Sequence, residues 1–210
     1  MTYTILNQRF GIEIETAGCD RAKIAQAIKT VVNGTISSGA TGGYNATVIR
    51  QRDGREWKVQ NDGSIATLHG RIGSEIVSPI LTYDDIPTLK LIITAVKAAG
   101  AIPHRSCGVH IHTDASMHNA TSLTNLAKMV YRNEEMLFQA IGTSTERQAR
   151  YTKPMEQDFI DRLVNRKPNN MSDINRAWYG RQNLHPDHYD NSRYYASPNI
   201  MWSQFGTAQQ

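Results

Sequence analysis

The sequence predicts an α+β fold, in which a curved, mainly antiparallel sheet carries helices packed on its outer face. Three observations lead there. Residues 9–15 (RFGIEIE) and 107–113 (CGVHIHT) alternate with period two, as half-buried strands do. Asp53-Gly54 stands between two strand-like runs, a hairpin signal. The helical stretches are single and long, without the regular βαβ alternation of a doubly wound sheet.

In the first strand Phe10, Ile12 and Ile14 alternate with Gly11, Glu13 and Glu15, so both carboxylates project from one face. Asp20 then caps a helix over residues 21–32, whose apolar stripe is Ile24, Ala27, Ile28 and Val31. Residues 33–44, rich in Gly, Ser and Thr, read as a flexible loop. The hairpin occupies residues 47–59, and a turn follows at Asn61-Asp62-Gly63-Ser64.

Residues 73–81 (GSEIVSPIL) form another short strand, ending at Pro79. Asp84 or Asp85 opens a helix through Leu89, Ile92, Ile93 and Val96 to Ala99, with Gly100 as its C-terminal glycine. On the CGVHIHT strand His110 and His112 share one face, Val109 and Ile111 the other. A long helical stretch begins at Ser122 and a second covers residues 156–164. Residues 191–201 (NSRYYASPNIM) read as a last strand or extended loop.

With 210 residues the chain builds one elaborated domain, and its ordinary hydrophobic share of 40% excludes wholesale disorder. The 23 basic residues exceed the 19 acidic ones and lie scattered, which argues against nucleic acid and suits a polyphosphate ligand. Cys19 and Cys107 make neither a CxxC pair nor a disulfide framework, the usage expected of the cytoplasm. No basic leader with an apolar core and no apolar run of ~20 residues is seen, so secretion and membrane insertion are not expected.

An ionised Glu13–Glu15 pair on an apolar strand repels itself unless a cation lies between the two groups. Hard oxygen donors suit magnesium or manganese. Glu75, inside the apolar SEIV stretch, and His110 and His112 offer further ligand atoms from two other strands. Each feature also has a plain reading: Glu-x-Glu on a solvated face, surface histidines, Glu75 as a rim residue, Asp62 stabilising its own turn. Convergence of three strands favours the metal reading over these.

Taken together and in order, GIEIE, NDGSI, GSEIVSPIL, CGVHIHTDAS and RYYASPNI resemble the amidoligase family, relatives of glutamate-cysteine ligase within the glutamine synthetase superfamily. The resemblance spans residues 9 to about 200. It implies a glutamine-synthetase-like fold and a carboxylate-amine ligase using ATP and Mg2+ or Mn2+. Glu13, Glu15 and Glu75 would hold the metal ions, with His110 or His112 on metal or phosphate. Asp62 and Ser64 would lie at the substrate side, and Arg193 with Asn199 would contact phosphate or substrate. Residues 147–154 (RQARYTKP) look like the family's basic active-site loop, with Arg150, Tyr151 and Lys153 as its candidates. The family is associated with peptide or protein modification, including in phage and mobile elements, and with oligomers in glutamine synthetase itself. One departure is that no Glu-x-Arg strand follows the R…N motif before Gln210.

Two other functions remain open on the residues alone. A metal-dependent amide hydrolase would use the His and Glu cluster to activate water without ATP. A catalytically degenerate nucleotide-binding module would keep the fold alone.

Overall fold

The computed structural model describes residues 4–38 and 45–184. The chain divides into two compact units, Met1–Asp114 and Ala115–Gln210. In the first, β1 (Phe10–Thr16), α1 (Arg21–Val32), β2 (Thr35–Ser38), β3 (Thr47–Arg50), β4 (Glu56–Asn61), β5 (Ser74–Val77), α2 (Ile86–Ala98) and β6 (Val109–Thr113) follow in order. The strands form one open sheet in the order β2-β3-β4-β5-β1-β6, with every neighbouring pair antiparallel. The α+β class with an antiparallel sheet is therefore what the alternating strands and hairpin signal predict.

One face of this sheet makes the core. Ile24, Ala25 and Ile28 of α1 and Leu89, Ile92 and Val96 of α2 pack with Ile49, Trp57, Val59 and Ile76, while Phe10, Ile12 and Ile14 close the same cluster. Because side chains alternate, covering this face with helices leaves the carboxylates of β1 on the other.

Local chemistry departs from expectation in three places. Residues 35–38 form β2, not a loop, since Thr35 and Ile36 find partners in Arg50 and Ile49 and pairing overrides a Gly/Ser-rich composition. The turn into β2 needs Gly34, where a Cβ would lie 2.8 Å from the Arg50 carbonyl oxygen. Residues 39–44 lie outside the described residues. Asp20 occupies the N-cap of α1 without capping through its side chain, which pairs instead with Arg71 at 2.9 Å. Asp85 accepts from the Thr82 amide at 2.9 Å, so Thr82 and Asp85 box a short 3-10 turn ahead of α2.

The second unit is helical among its described residues: α3 (Ala120–Ile141), α4 (Thr145–Arg150), α5 (Gln157–Arg166) and α6 (Met171–Tyr179). Helix α3 starts before Ser122, because Asn119 accepts from the Ser122 amide and the Ser122 hydroxyl accepts from the Asn119 amide, each at 2.9 Å. The stretch expected as a basic loop over 147–154 instead begins as helix. Ser144 caps α4, and Arg147 and Arg150 belong to it. Helix α6, capped by Asn170, has too short an apolar stripe to announce itself in the sequence. Leu123, Ala127, Phe159, Ile160, Leu163, Ile174 and Trp178 form this unit's core, with Phe159 and Trp178 edge to face at 4.8 Å. Both Glu134 carboxylate oxygens accept from the Met155 amide, and burial raises the carboxyl above its ordinary range. The tail over 191–201 lies outside the described residues. None of the described helices is long and apolar enough to cross a membrane.

Ile28 is completely buried between α1 and the sheet, so Ile28→Ala should lower stability by about 2–5 kcal/mol. Exposed Leu91→Ala should shift it by less than about 0.5 kcal/mol. Urea unfolding of both variants checks the pair.

Candidate active site

The sheet face opposite the two helices is ordered by strand register. On β1, Glu13 stands opposite His110 of β6 and Val77 of β5, while Glu15 stands opposite Glu75. On β4, Gln60 stands opposite Glu75 and Lys58 opposite Val77. Two adjacent rows of functional side chains therefore cross the sheet.

The first row holds Glu13, joined by His112 from beside it. His110 Nδ1 and His112 Nε2 each lie 3.3 Å from Glu13 Oε2. Hydrogen bonds from these imidazoles push the Glu13 carboxyl down to about 2, against the opposing effect of its burial. The carboxylate in turn raises His110 above the ordinary histidine range, against desolvation. Glu13, His110 and His112 each present a ligand atom, and those atoms lie within 4.8 Å of one another.

The second row holds Glu15, Asp62 and Glu75, whose ligand oxygens likewise lie within 4.8 Å of one another. At an effective dielectric near 20, each ionised pair at that separation repels by roughly 3 kcal/mol. Burial first, then the charges of Glu13, Asp62 and Glu15, push the Glu75 carboxyl up, while Gln60 Nε2 donates to Glu75 Oε2 at 2.8 Å and opposes the rise. Gly108 N–H donates to Glu15 Oε2 at 2.7 Å. His110 Nε2 lies 3.9 Å from Glu15 Oε1, so the two clusters adjoin.

Asp62 reaches its cluster through the NDGSI turn. Its Oδ1 accepts from the Ser64 amide at 2.7 Å and its carbonyl from the Ile65 amide at 3.3 Å. Two devices fix the turn on the sheet. Buried Ile65 sits over Gly73, where a Cβ would come within 2.1 Å of Ile65 Cγ2. Ser106 Oγ accepts from the Ala66 amide at 2.9 Å and contacts His104 Nδ1 at 2.8 Å.

Of the residues singled out in the sequence, Glu13, Glu15, Glu75, His110 and His112 lie on one sheet face. Asp62, expected at the substrate side, meets Glu15 and Glu75. Ser64 is exposed in the turn. Arg150 and Lys153 belong to the second unit, at the end of α4 and in the exposed stretch after it. Arg193 and Asn199 lie outside the described residues. Gln60, Ser106 and Gly108 were not foreseen. Alternation along β4 puts Gln60 on the face of Asp62, the signal that could have found it.

The donor sets fit divalent cations. Three carboxylates match a hard ion such as Mg2+ or Mn2+, and the mixed carboxylate and imidazole set matches Mn2+ or Zn2+. Burial first, and the neighbouring negative charges after it, raise the Glu75 carboxyl, and a bound cation would offset both.

The model of the family described as "Putative amidoligase enzyme" matches residues 6–207. The chain belongs to this family. No curated protein matches it.

Two outcomes follow from the geometry. Gly73→Ala should destabilise the chain by about 1–3 kcal/mol through its clash with Ile65, and adding Ile65→Ala should recover part of that loss; chemical unfolding of the single and double variants measures it. A metal ion at Glu13 must displace the proton that this carboxylate stabilises on His110, so affinity is lost as pH falls through the raised His110 value. Mn2+ binding, followed by electron paramagnetic resonance, should therefore strengthen as pH rises above the ordinary histidine range, and His110→Ala should flatten the profile.

Proposed function

We propose, starting from membership of the amidoligase family, that the chain is an ATP-dependent carboxylate-amine ligase working through an acyl phosphate. The observation that supports this reading most is the pair of adjoining cation-competent clusters, Glu13/His110/His112 and Glu15/Asp62/Glu75, on one rigid sheet face. A carboxylate is a poor acyl donor because oxide is a poor leaving group. Transfer of the γ-phosphoryl group of ATP to the substrate carboxylate oxygen releases ADP and creates a good one. The amine then attacks the acyl carbon, loses a proton and displaces inorganic phosphate, leaving an amide.

The cations, Mg2+ or Mn2+, supply charge neutralisation for the ATP phosphates during transfer. The chain's own groups do the positioning. Glu15, Asp62 and Glu75 would hold one ion, and Glu13 with His110 or His112 the other. Gln60 and the Gly108 amide orient two of these carboxylates, and the Ser106 anchor holds the turn that carries Asp62. In this proposal Asp62 also takes the attacking amine on its substrate side. Arg150, Lys153 and Arg193, with Ser64 and Asn199, serve as contacts for phosphate or substrate, following the family resemblance. The amine or the carboxylate belongs to a peptide, a protein or a small molecule.

A metal-dependent amide hydrolase is a second reading, favoured by the imidazole pair beside Glu13, a softer donor set than phosphoryl transfer requires. Nucleotide dependence separates the two. Isothermal titration should show Mg2+-dependent binding of a slowly hydrolysed ATP analogue, weakened more than about tenfold in Glu13→Ala and in Glu15→Ala. Phosphate release from ATP should then require both an amine and a carboxylate. A folded chain that binds no nucleotide but cleaves amides in the presence of metal would overturn the ligase reading.

A further inference from the structure

We propose that Lys58 is a recognition residue for an anionic group on a molecule held at the two acidic clusters, at the end of that molecule away from them. The proposal deepens the ligase reading and rests on it. Lys58 lies on β4 opposite Val77, and Val77 lies opposite Glu13, so the three residues form one continuous cross-strand row on the face away from the helices. Two strand spacings separate the backbones of Glu13 and Lys58, roughly 10 Å. The flexible four-carbon stem of a lysine spans much of that gap and ends in a compact point charge.

Of the lysines and arginines on the described strands, Arg50 and Lys58, only the side chain of Lys58 is left unused by the fold. Arg50 pairs with Glu56, Arg55 with both Asp53 and Asp85, and Arg21 donates to Asn61. Lys58 is exposed, and its side chain makes neither a hydrogen bond nor an ion pair. Its flanks are apolar: half-buried Val77 on the side of Glu13, and buried Val48 opposite it on β3. The row thus runs from a cation-competent carboxylate across one valine to a free ammonium.

That order of charges selects a ligand. A group that shares the metal ions must be anionic or a strong oxygen donor. A few methylenes fit over Val77, and a carboxylate or phosphate oxygen at the far end meets Lys58. The shared chemistry is a second anion, supplied either by a dicarboxylate substrate or by the nucleotide's phosphates.

Titration calorimetry on the full chain with Mg2+ distinguishes the sources, using glutarate, butyrate and ADP as probes. Glutarate should bind about tenfold or more tightly than butyrate, an advantage that Lys58→Gln removes and Lys58→Arg largely keeps. If Lys58→Gln weakens ADP by that factor and leaves glutarate alone, the anion is a nucleotide phosphate, and the recognition role of Lys58 stands with that source. Equal binding of all three probes by the native chain and Lys58→Gln overturns the proposal. A native glutarate preference in a chain that never releases phosphate from ATP would overturn the ligase reading and leave Lys58 in place. Phosphate release with no effect of Lys58→Gln on binding would do the reverse.

Discussion

Crowding of negative charge at Glu15, Asp62 and Glu75 is the constraint that the rest of the first unit serves. Three carboxylates with ligand oxygens within 4.8 Å of one another are brought there by the backbone positions that carry them. Two come from paired strands in fixed register, and the third from a turn clamped to the sheet. The helices contribute indirectly. By covering one face with Ile24, Ile28, Ile92 and Val96 they settle the side to which every alternating residue points, and a slip of one residue in β1 would bury both glutamates in the core. Hydrophobic burial on one side thereby holds electrostatic strain on the other.

The cluster is also unequal inside. Glu15 accepts a backbone amide and Glu75 the Gln60 amide, and on Glu75 burial and three neighbouring charges act together against ionisation. Glu13, next along β1, has the opposite surroundings, with two imidazoles that favour its charge. Glu13 on β1 and Glu75 on the adjoining β5 thus have carboxyls shifted in opposite directions, Glu13 down by its imidazole partners and Glu75 up by burial and then by neighbouring charge, a separation typical of sites that handle cations and protons.

Much of this could be read in the residues. RFGIEIE and CGVHIHT show their faces by period two, Asp53-Gly54 marks its hairpin, and the 21–32 helix carries both its stripe and its starting point. What stayed hidden depends on contacts distant in sequence. Thr35 and Ile36 look like loop until β3 pairs with them. Arg147 and Arg150 look like loop because a six-residue helix has no room for a stripe, and only the Ser144 cap marks its start. Asp62 reads as a turn former, since its meeting with Glu15 depends on Ile65 reaching Gly73. Gln60 shows only through the alternation of β4, and Ser106 carries no motif; its value lies in joining the Ala66 amide to His104.

The contact between Ile65 and Gly73 bears on how this protein can change over time. A side chain of any size at position 73 collides with the branched carbon of Ile65, so a mutation there arrives as a loss unless position 65 has already shrunk. A smaller residue at 65, arriving first, leaves a void and loosens the turn. A change at either position alone thus costs stability, so the pair is coupled: exchange without loss requires both residues to change together, and the turn that carries Asp62 is held to that pairing.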